Sequence, residues 1–250
     1  SEFPMALSEA IKKFSISNQY ANEEAQSNST YPSEYKLKPI EAQVEALKKV
    51  FPKLDVTKSL EWIKKVLPKL TLPVGAEGWF AVVRPEKLGD TYEAALLAVL
   101  DAIKSTRTFY NCRDGRLAEK YLRQMARAKE MFAAATVGQD GDVVIIPAQF
   151  GLRHRGLSVR RARAVFVKNE FGLGAVATGC MLITHPERLV RWEQLHMDLP
   201  GDEYSPGADG SFSRAPIFSW SGGGVGFGAR GLDSPHADYG AMSGFVPQIP

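Results

Sequence analysis

Helical periodicity occupies the first part of this chain, and short strand-like runs occupy the last part. Apolar residues recur at helical spacing over 39–135, whereas β-branched and aromatic runs bounded by glycine and proline dominate 140–250. Helices come first and strands later, without a repeating strand–helix–strand unit, so this order predicts an α+β fold. We expect a helical N-terminal half packed on a mainly antiparallel C-terminal β-sheet or partial barrel, within a single domain over 39–250.

Periodicity and turn residues also predict the individual elements. Helices are expected at 40–51, 57–67, 91–104, 116–135 and from 184 to 192 or 195. Strands are expected at 78–84, 143–146, 164–167, 175–183, 215–220 and 225–229. For 158–167 the sequence leaves helix and strand open, because Ser158 suits a helix cap while Ala164-Val165-Phe166-Val167 favours a sheet.

The N-terminal residues carry no folding pattern. Ser1-Glu2-Phe3-Pro4 stand before Met5, and we expect them to be a cloning remnant with Met5 as the natural start. Residues 15–36 are polar and rich in serine and asparagine, so 1–38 is expected to be this remnant followed by a poorly ordered arm. No signal-peptide pattern follows Met5, and no apolar run approaches the roughly 20 residues that cross a bilayer. We therefore expect a cytoplasmic protein with no membrane partner.

Two cysteines fit a reducing compartment. Cys112 and Cys180 have no Cys-x-x-Cys spacing and give no disulfide framework. Cys180 lies in an apolar run and is expected to be buried. Cys112 is flanked by cationic and polar residues that can lower a thiol pKa, although a reactive role is the less common outcome for such a residue.

Positive charge is concentrated in one part of the chain. The net charge of +3 is small, but residues 101–170 hold 14 Lys plus Arg against 7 Asp plus Glu, whereas residues 201–250 have an acidic surplus of three. A local surplus of positive charge favours a basic patch over nonspecific binding by the whole surface.

Five arginines define the most basic stretch, 153–163. They are Arg153, Arg155, Arg160, Arg161 and Arg163. A guanidinium matches phosphate oxygens and stacks on bases, and the adjoining segment adds further charge and an aromatic ring from Arg116, Arg123, Arg127 and Tyr110. The leading hypothesis is a non-catalytic binding protein with a basic surface for nucleic acid or another polyanion.

The same arginines have two other interpretations. They can pair within the chain, for which the acidic C-terminal region offers Asp202, Glu203 and Asp209. They can also bridge subunits of an oligomeric scaffold protein. Oligomeric state cannot be derived from the sequence.

A second candidate site lies in the stretch Leu195–Glu203. On a strand, His196 and Asp198 would share one face, which can bring two metal ligands together. Asp202 or Glu203 would follow from the turn, and another histidine would complete the set from His185 or His154. The alternative function is a metal-dependent hydrolase or transferase, with His196, Asp198 and Glu203 as candidate catalytic residues and His196, Asp198 and Asp202 as candidate metal ligands. The His-x-Asp spacing is common by chance, and no cofactor is indicated.

The remaining motifs favour structural roles. Ser221–Gly228 resembles a phosphate-binding loop only superficially, because Val-Gly-Phe-Gly after the glycines suits a strand and predicts a hairpin. Ser158, Ser213 and Ser219 lack the Gly-x-Ser-x-Gly elbow of a nucleophile. Glu77 can be a general acid if apolar neighbours raise its pKa, but a strand-edge glutamate without a chemical role is more common.

Overall fold

The computed structural model describes residues 17–248, and residues 1–16 and 249–250 lie outside it. In this range the α-helices are α1 (Ile40–Val50), α2 (Thr57–Lys65), α3 (Tyr92–Thr106), α4 (Ala126–Ala135), α5 (Val159–Val165) and α6 (Ala175–Thr184). The strands are β1 (Gly78–Val83), β2 (Phe109–Asn111), β3 (Leu122–Gln124), β4 (Val143–Gln149), β5 (Glu170–Gly172), β6 (His196–Asp198), β7 (Asp202–Tyr204), β8 (Arg214–Ser221), β9 (Gly224–Gly231), β10 (Tyr239–Ala241) and β11 (Ser243–Phe245).

The strands form two sheets. The first has the order β1-β4-β11-β5 and is antiparallel throughout. In the second, β8 is central: β6 and β9 run antiparallel to it on its two sides, and β7 pairs with its first residue. The outer strands are β10 and β2, parallel to β6 and β9, and β3, antiparallel to β7. The expected α+β fold with mainly antiparallel strands is confirmed.

Helix α6 lies in the middle of the core, against α1, α3 and β1. The Cβ of an alanine at Gly179 would lie 2.2 Å from Val99 Cγ1, so the glycine allows α3 and α6 to approach closely. The strand predicted over 175–183 was wrong. A helix that is buried on every side has no polar face, and its apolar run cannot be distinguished from a buried strand by periodicity.

Three other predicted elements also differ from the structure. The helix expected over 116–135 is interrupted, because Leu122–Gln124 pairs with Asp202–Tyr204 as β3 and only 126–135 is helical. The strand expected over 164–167 is not formed: α5 ends at Val165, Phe166 and Val167 follow it without helix or strand, and the helix cap Ser158 accepts a hydrogen bond from Arg161 N. The helix expected to begin at Thr184 is a single 3₁₀ turn over Pro186–Arg188.

The hairpin predicted around the glycine run is confirmed. Strands β8 and β9 pair in register from Arg214↔Gly231 to Ser221↔Gly224. The two turn residues, Gly222 and Gly223, have φ of +57° and +80°. A two-residue turn with positive φ at both positions matches the twist of a hairpin and is most easily made with glycine.

Residues 17–38, the strap, contain almost no helix or strand but lie against the body. Glu24 forms a β-bridge with Leu157, and Leu195 N donates to Thr30 O at 3.1 Å. This part of the expected arm is therefore attached to the fold by hydrogen bonds, and residues 1–16 of it lie outside the described residues. None of the helices in 17–248 combines the length and apolar character needed to cross a membrane.

Candidate functional site

Two of the five clustered arginines bind glutamates of the strap. Arg160 Nε donates to both carboxylate oxygens of Glu23 at 2.9 Å. Arg161 Nε donates to Glu24 Oε1 at 2.8 Å. The hydrogen bonds from Arg160 lower the pKa of the Glu23 carboxyl. These guanidinium groups therefore face an acidic part of their own chain.

Arg153 and its neighbour His154 contact a third glutamate. Glu170 is fully buried and accepts from His154 Nε2 and Ser243 Oγ, each at 2.6 Å, and from Arg153 Nε at 3.2 Å. Burial alone would raise the pKa of Glu170, but the hydrogen bonds from His154 and Ser243 outweigh it and the pKa is lowered. His154 is thus held by a carboxylate and is not available as a metal ligand.

The other two arginines bind backbone carbonyl groups. Arg155 is exposed, and its Nη1 donates to Ser29 O of the strap at 3.0 Å. Arg163 donates to Pro200 O and Asp202 O at 3.0 and 2.9 Å, and burial lowers its pKa to about 10. All five clustered arginines therefore have partners within the chain, and their acidic partners are Glu23, Glu24 and Glu170 instead of the C-terminal carboxylates that the sequence suggested.

The second group of predicted basic residues is more accessible. Arg116 and Arg127 are exposed, and neither side chain forms a hydrogen bond or ion pair within residues 17–248. Arg123 is paired: its Nε lies 2.5 Å from Glu203 Oε1, and its guanidinium lies 3.7 Å from the centre of the Phe212 ring. Two of these three arginines can therefore meet a ligand without first losing a partner.

Strands β2, β9 and β8 create a furrow on the outer face of the second sheet. In one row across the sheet, Gly226 of β9 has Tyr110 of β2 on one side and Ser219 of β8 on the other. In the next row on the same face, Gly228 of β9 lies opposite Ile217 of β8. The glycines on β9 thus separate side chains of β2 from side chains of β8. The resulting furrow has a volume of about 520 Å³.

The floor of the furrow is backbone. A Cβ at Gly226 would lie 3.6 Å from Ser219 Oγ, and a Cβ at Gly228 would lie 3.4 Å from Ile217 Cγ1. Both are ordinary van der Waals distances, and neither glycine has a positive φ. A methyl group would fit at either position and would occupy the furrow itself.

The two ends of the furrow differ in chemistry. At the hairpin end lie hydroxyl groups: Tyr110, which is 45% exposed, donates to Gly222 O at 3.0 Å, and Ser221 is exposed beside it. At the other end lies Arg113, whose Nη2 donates to Ala229 O at 3.2 Å. The exposed thiol of Cys112 lines the same furrow, between the hydroxyl groups and the guanidinium. The furrow therefore presents donors at both ends of an uncharged floor.

The sheet face that bears the furrow continues to His196 and Asp198. Both side chains are fully buried, with His196 Nε2 3.0 Å from Trp192 O and the Tyr239 ring centre 5.0 Å from the His196 ring centre. Arg230 Nη1 donates to the two carboxylate oxygens of Asp198 at 3.1 and 3.3 Å. Burial raises the pKa of Asp198 to about 6 and lowers that of His196.

The expected metal site is not assembled around this pair. Asp202 points elsewhere: its Oδ2 accepts from Tyr92 OH and from Ala175 N, each at 2.7 Å. Glu203 is engaged with Arg123. Within residues 17–248, no three His, Cys, Asp or Glu side chains are grouped so that they could hold a metal ion. The three candidate ligands His196, Asp198 and Asp202 therefore have separate partners and do not converge on one point.

Asp202 lies at a strand–Gly-x-Gly–helix segment that the sequence interpretation missed. Gly172 and Gly174 connect β5 to α6, in the pattern of a phosphate-binding loop. The N-terminus of α6 is already bound to the Asp202 carboxylate, whose pKa burial raises to about 7, and β5 is antiparallel to its neighbour β11. The glycines allow the chain around Gly201 to pack closely, and the carboxylate takes the place that a phosphate would need.

Two further predicted candidates have structural contacts. Glu77 accepts from Tyr31 OH at 2.5 Å and from Phe150 N at 3.2 Å, so it joins the strap to the first sheet. Cys180 is fully buried, which raises its pKa to about 12, as expected for a small core residue.

Comparison with known proteins supplies no relative: no family model, no curated protein and no solved structure matches the chain. Function is therefore inferred from the geometry of the site alone.

Proposed function

We propose that the protein is a non-catalytic binding protein for a polyanion, and that single-stranded nucleic acid is the class that fits best. One observation carries this proposal: the half-exposed Tyr110 ring lies on the wall of a furrow that Arg113 also lines. Single-strand recognition needs an aromatic surface for a base and a guanidinium for the phosphate. This combination is present on the second sheet.

Two exposed arginines of the segment 110–127 add positive charge outside the furrow. Arg116 follows Arg113 in one turn, closed by the hydrogen bond from Arg116 N to Arg113 O at 2.9 Å, and Arg127 lies on α4. Neither has a partner within residues 17–248, so a phosphate could bind them without displacing an acid. A strand that leaves the furrow past Arg113 would thus meet Arg116 next, whereas Arg127 adds positive charge on α4, which packs against β5 and β11 of the first sheet.

The stretch 153–163 has a different role in this proposal. Its guanidinium groups are engaged with Glu23, Glu24, Glu170 and backbone carbonyl groups. Binding a phosphate there would leave those carboxylates without partners, one of them fully buried, and such a group is costly to leave unpaired. We therefore keep the hypothesis of a basic surface for a polyanion, but we assign that surface to the furrow and the exposed arginines and not to 153–163. We place the protein in the cytoplasm, where nucleic acid is present and Cys112 stays reduced.

The proposal is tested by fluorescence anisotropy with labelled single-stranded and duplex RNA and DNA across a salt series. The test variant is Arg116→Ala/Arg127→Ala. The matched control is Lys58→Ala/Lys64→Ala, which removes two exposed positive charges from α2. We expect single strands to bind best, and the test variant to reduce the salt slope by about 1.4, because each phosphate contact contributes about 0.7 for single strands.

Two results would contradict the proposal. The first is no binding of any nucleic acid at low salt. The second is an equal loss of slope in the test and control variants, since that would indicate attraction to net charge and not to a defined surface.

A further inference from the structure

Gly226 and Gly228 are not required by the fold around them. Glycine in a strand interior weakens the strand, and it commonly marks a backbone bulge or a place where a ligand approaches the backbone closely. Here β9 pairs with β8 without a bulge through both glycines, neither φ is positive, and a Cβ would meet only ordinary contacts. What the two glycines provide is a flat floor of backbone, in which Gly226 is buried and Gly228 is half-buried.

The dimensions of this floor follow from sheet geometry. Two residues on one face of a strand are about 7 Å apart, and the strands on the two sides of β9 are about 9.5 Å apart. Aromatic rings commonly cover glycines in sheets, where the ring face lies on the exposed peptide groups. The Tyr110 ring does not cover these two, because its hydroxyl group is directed to Gly222 O near the hairpin turn. The floor therefore has room for a planar ring from another molecule.

The charges around the furrow determine what else that molecule carries. No acidic residue is among the residues that line the furrow. Arg113 is fixed at one end by its Nη2, and its Nη1 makes no hydrogen bond within the part of the chain that is described. Ser219 and Ser221 add hydroxyl groups at the other end. A ring with polar edge atoms and an attached anionic group could bind the hydroxyl groups with its edge and Arg113 with the anion.

We propose that the furrow is a subsite for one planar heteroaromatic ring that carries an anionic group, namely a nucleobase with its phosphate. The ring lies face down on Gly226 and Gly228 beside Tyr110, the serine hydroxyl groups bind its edge, and Arg113 binds the anion. This inference rests on the proposed function and names the part of the ligand that the furrow accepts.

Cys112 provides a direct test of occupancy. The chain has two cysteines, and Cys180 is fully buried, so alkylation by iodoacetamide reports Cys112 alone. We expect saturating adenosine or uridine monophosphate to slow alkylation at least threefold. Ribose 5-phosphate and inorganic phosphate, which lack the ring, should leave the rate unchanged. A single-stranded oligonucleotide distinguishes the source of the ring: protection by the oligonucleotide alone means that the base must be presented by a strand, and protection by the monophosphate means that a free nucleotide suffices.

A pair of variants tests the floor itself. Gly226→Ala/Gly228→Ala adds two methyl groups to the furrow at ordinary contact distances, so the protein should fold with an unchanged or higher Tm. We expect at least a tenfold loss of affinity for whichever ligand protects Cys112. The control is Gly231→Ala, a glycine on the same strand but outside the furrow, whose Cβ would meet only the ends of the Asp233 and Ser234 side chains. Its affinity should stay within twofold of the unchanged protein.

The inference is overturned if no nucleotide or oligonucleotide protects Cys112, if ribose 5-phosphate protects it equally, or if the double alanine variant binds as tightly as the control. These failures are distinguishable from failure of the proposed function. Salt-dependent binding that is weakened by Arg116→Ala/Arg127→Ala but not by the alanines in the furrow would retain a polyanion surface and remove the ring subsite.

Discussion

Two regions of this molecule are rich in arginine, and they use it differently. In the stretch 153–163, every guanidinium is bound to a carboxylate or a carbonyl group of the same chain. Between 110 and 127, Arg116 and Arg127 are exposed and have no such partner among residues 17–248, and Arg113 borders the furrow. The denser cluster is thus the structural one. A count of arginines indicates where charge is concentrated, but the position of the acids decides whether that charge is available.

The acids that bind the cluster lie far away in the sequence. Glu23 and Arg160 are separated by 137 positions, and the strap that carries Glu23 has the composition of a disordered segment. Once it is attached, the strap neutralises one face of α5. Among the described residues, the segment between 110 and 127 has one such acidic partner, Glu203, which forms an ion pair with Arg123. This difference predicts opposite responses when the acids are removed.

The largest expected effect is on the buried acid of the first region. Glu170→Ala leaves His154, Arg153 and Ser243 without their acceptor in the interior, and removing one partner of a buried ion pair costs about 3–5 kcal/mol. Urea unfolding measures the loss. Glu203→Ala is the matched change in the second region, and because its partner Arg123 is half exposed we expect a loss below about 1 kcal/mol. Equal losses in the two variants would remove the distinction between the regions.

The second effect is on the pH dependence of the free energy of unfolding. One set of carboxyl groups stabilises the fold at low pH, and another set stabilises it at higher pH. Asp202 has a pKa raised to about 7 from an ordinary 3.8. The folded state therefore holds a proton that the unfolded state releases, so this stability is present below pH 4 and is lost as the pH rises through 7. The size is on the order of 4 kcal/mol, because the pKa rises by about 3 units and each unit corresponds to about 1.4 kcal/mol. Asp202→Asn should remove this part of the fall in urea unfolding measured from pH 4 to 8, while Asp198, whose pKa burial raises to about 6, still contributes a fall of its own.

Glu170 and Glu23 behave in the opposite way. Their pKa values are lowered in the folded state, so the stability they contribute is present above the ordinary glutamate value and is lost as the pH falls through the folded value. We therefore expect the strap to detach from the body below pH 4, before the rest of the protein unfolds. Protease cleavage within 17–31 at low and neutral pH measures this, and a cleavage rate that is independent of pH would contradict the assignment.

A smaller effect concerns the strap alone. Glu23→Gln keeps the size of the side chain but removes its charge, so the ion pair with Arg160 is lost. We expect the Tm to fall by several degrees and cleavage within 17–31 to increase, while alkylation of Cys112 and its protection by ligand stay unchanged. A parallel change at Cys112 would mean that the strap and the furrow are coupled, and the two regions could no longer be treated as independent.

Local patterns in the sequence predicted the elements that local chemistry determines. The hairpin of β8 and β9 follows from its glycine turn, and α3 follows from its apolar face and its Thr91 cap. Helix α6 could not be recognised, because burial on all sides removes the amphipathic period. Strand β3 could not be recognised either, since its pairing with β7 joins residues about eighty positions apart and overrides a helical pattern.

The candidate site was predictable only in part. Tyr110, Arg116 and Arg127 were identified from charge and aromatic character. The alternation of Gly226 and Gly228 with the apolar Val225 and Phe227 was visible, and it could have suggested a face of the strand without side chains. The parallel pairing of β2 with β9, which brings Tyr110 beside that floor, joins residues 116 positions apart and has no signal in the sequence. The internal partners of the clustered arginines were invisible for the same reason.

The most direct test of the account compares Arg116→Ala/Arg127→Ala with Arg155→Ala/Arg160→Ala in one experiment, the salt dependence of single-stranded RNA binding. Each variant removes two arginines. We expect the first variant to lose salt slope and keep its Tm. The second should keep its slope and have a lower Tm, because its arginines bind the strap. If the second variant loses the slope and the first does not, the stretch 153–163 contacts the polyanion and the central claim is wrong.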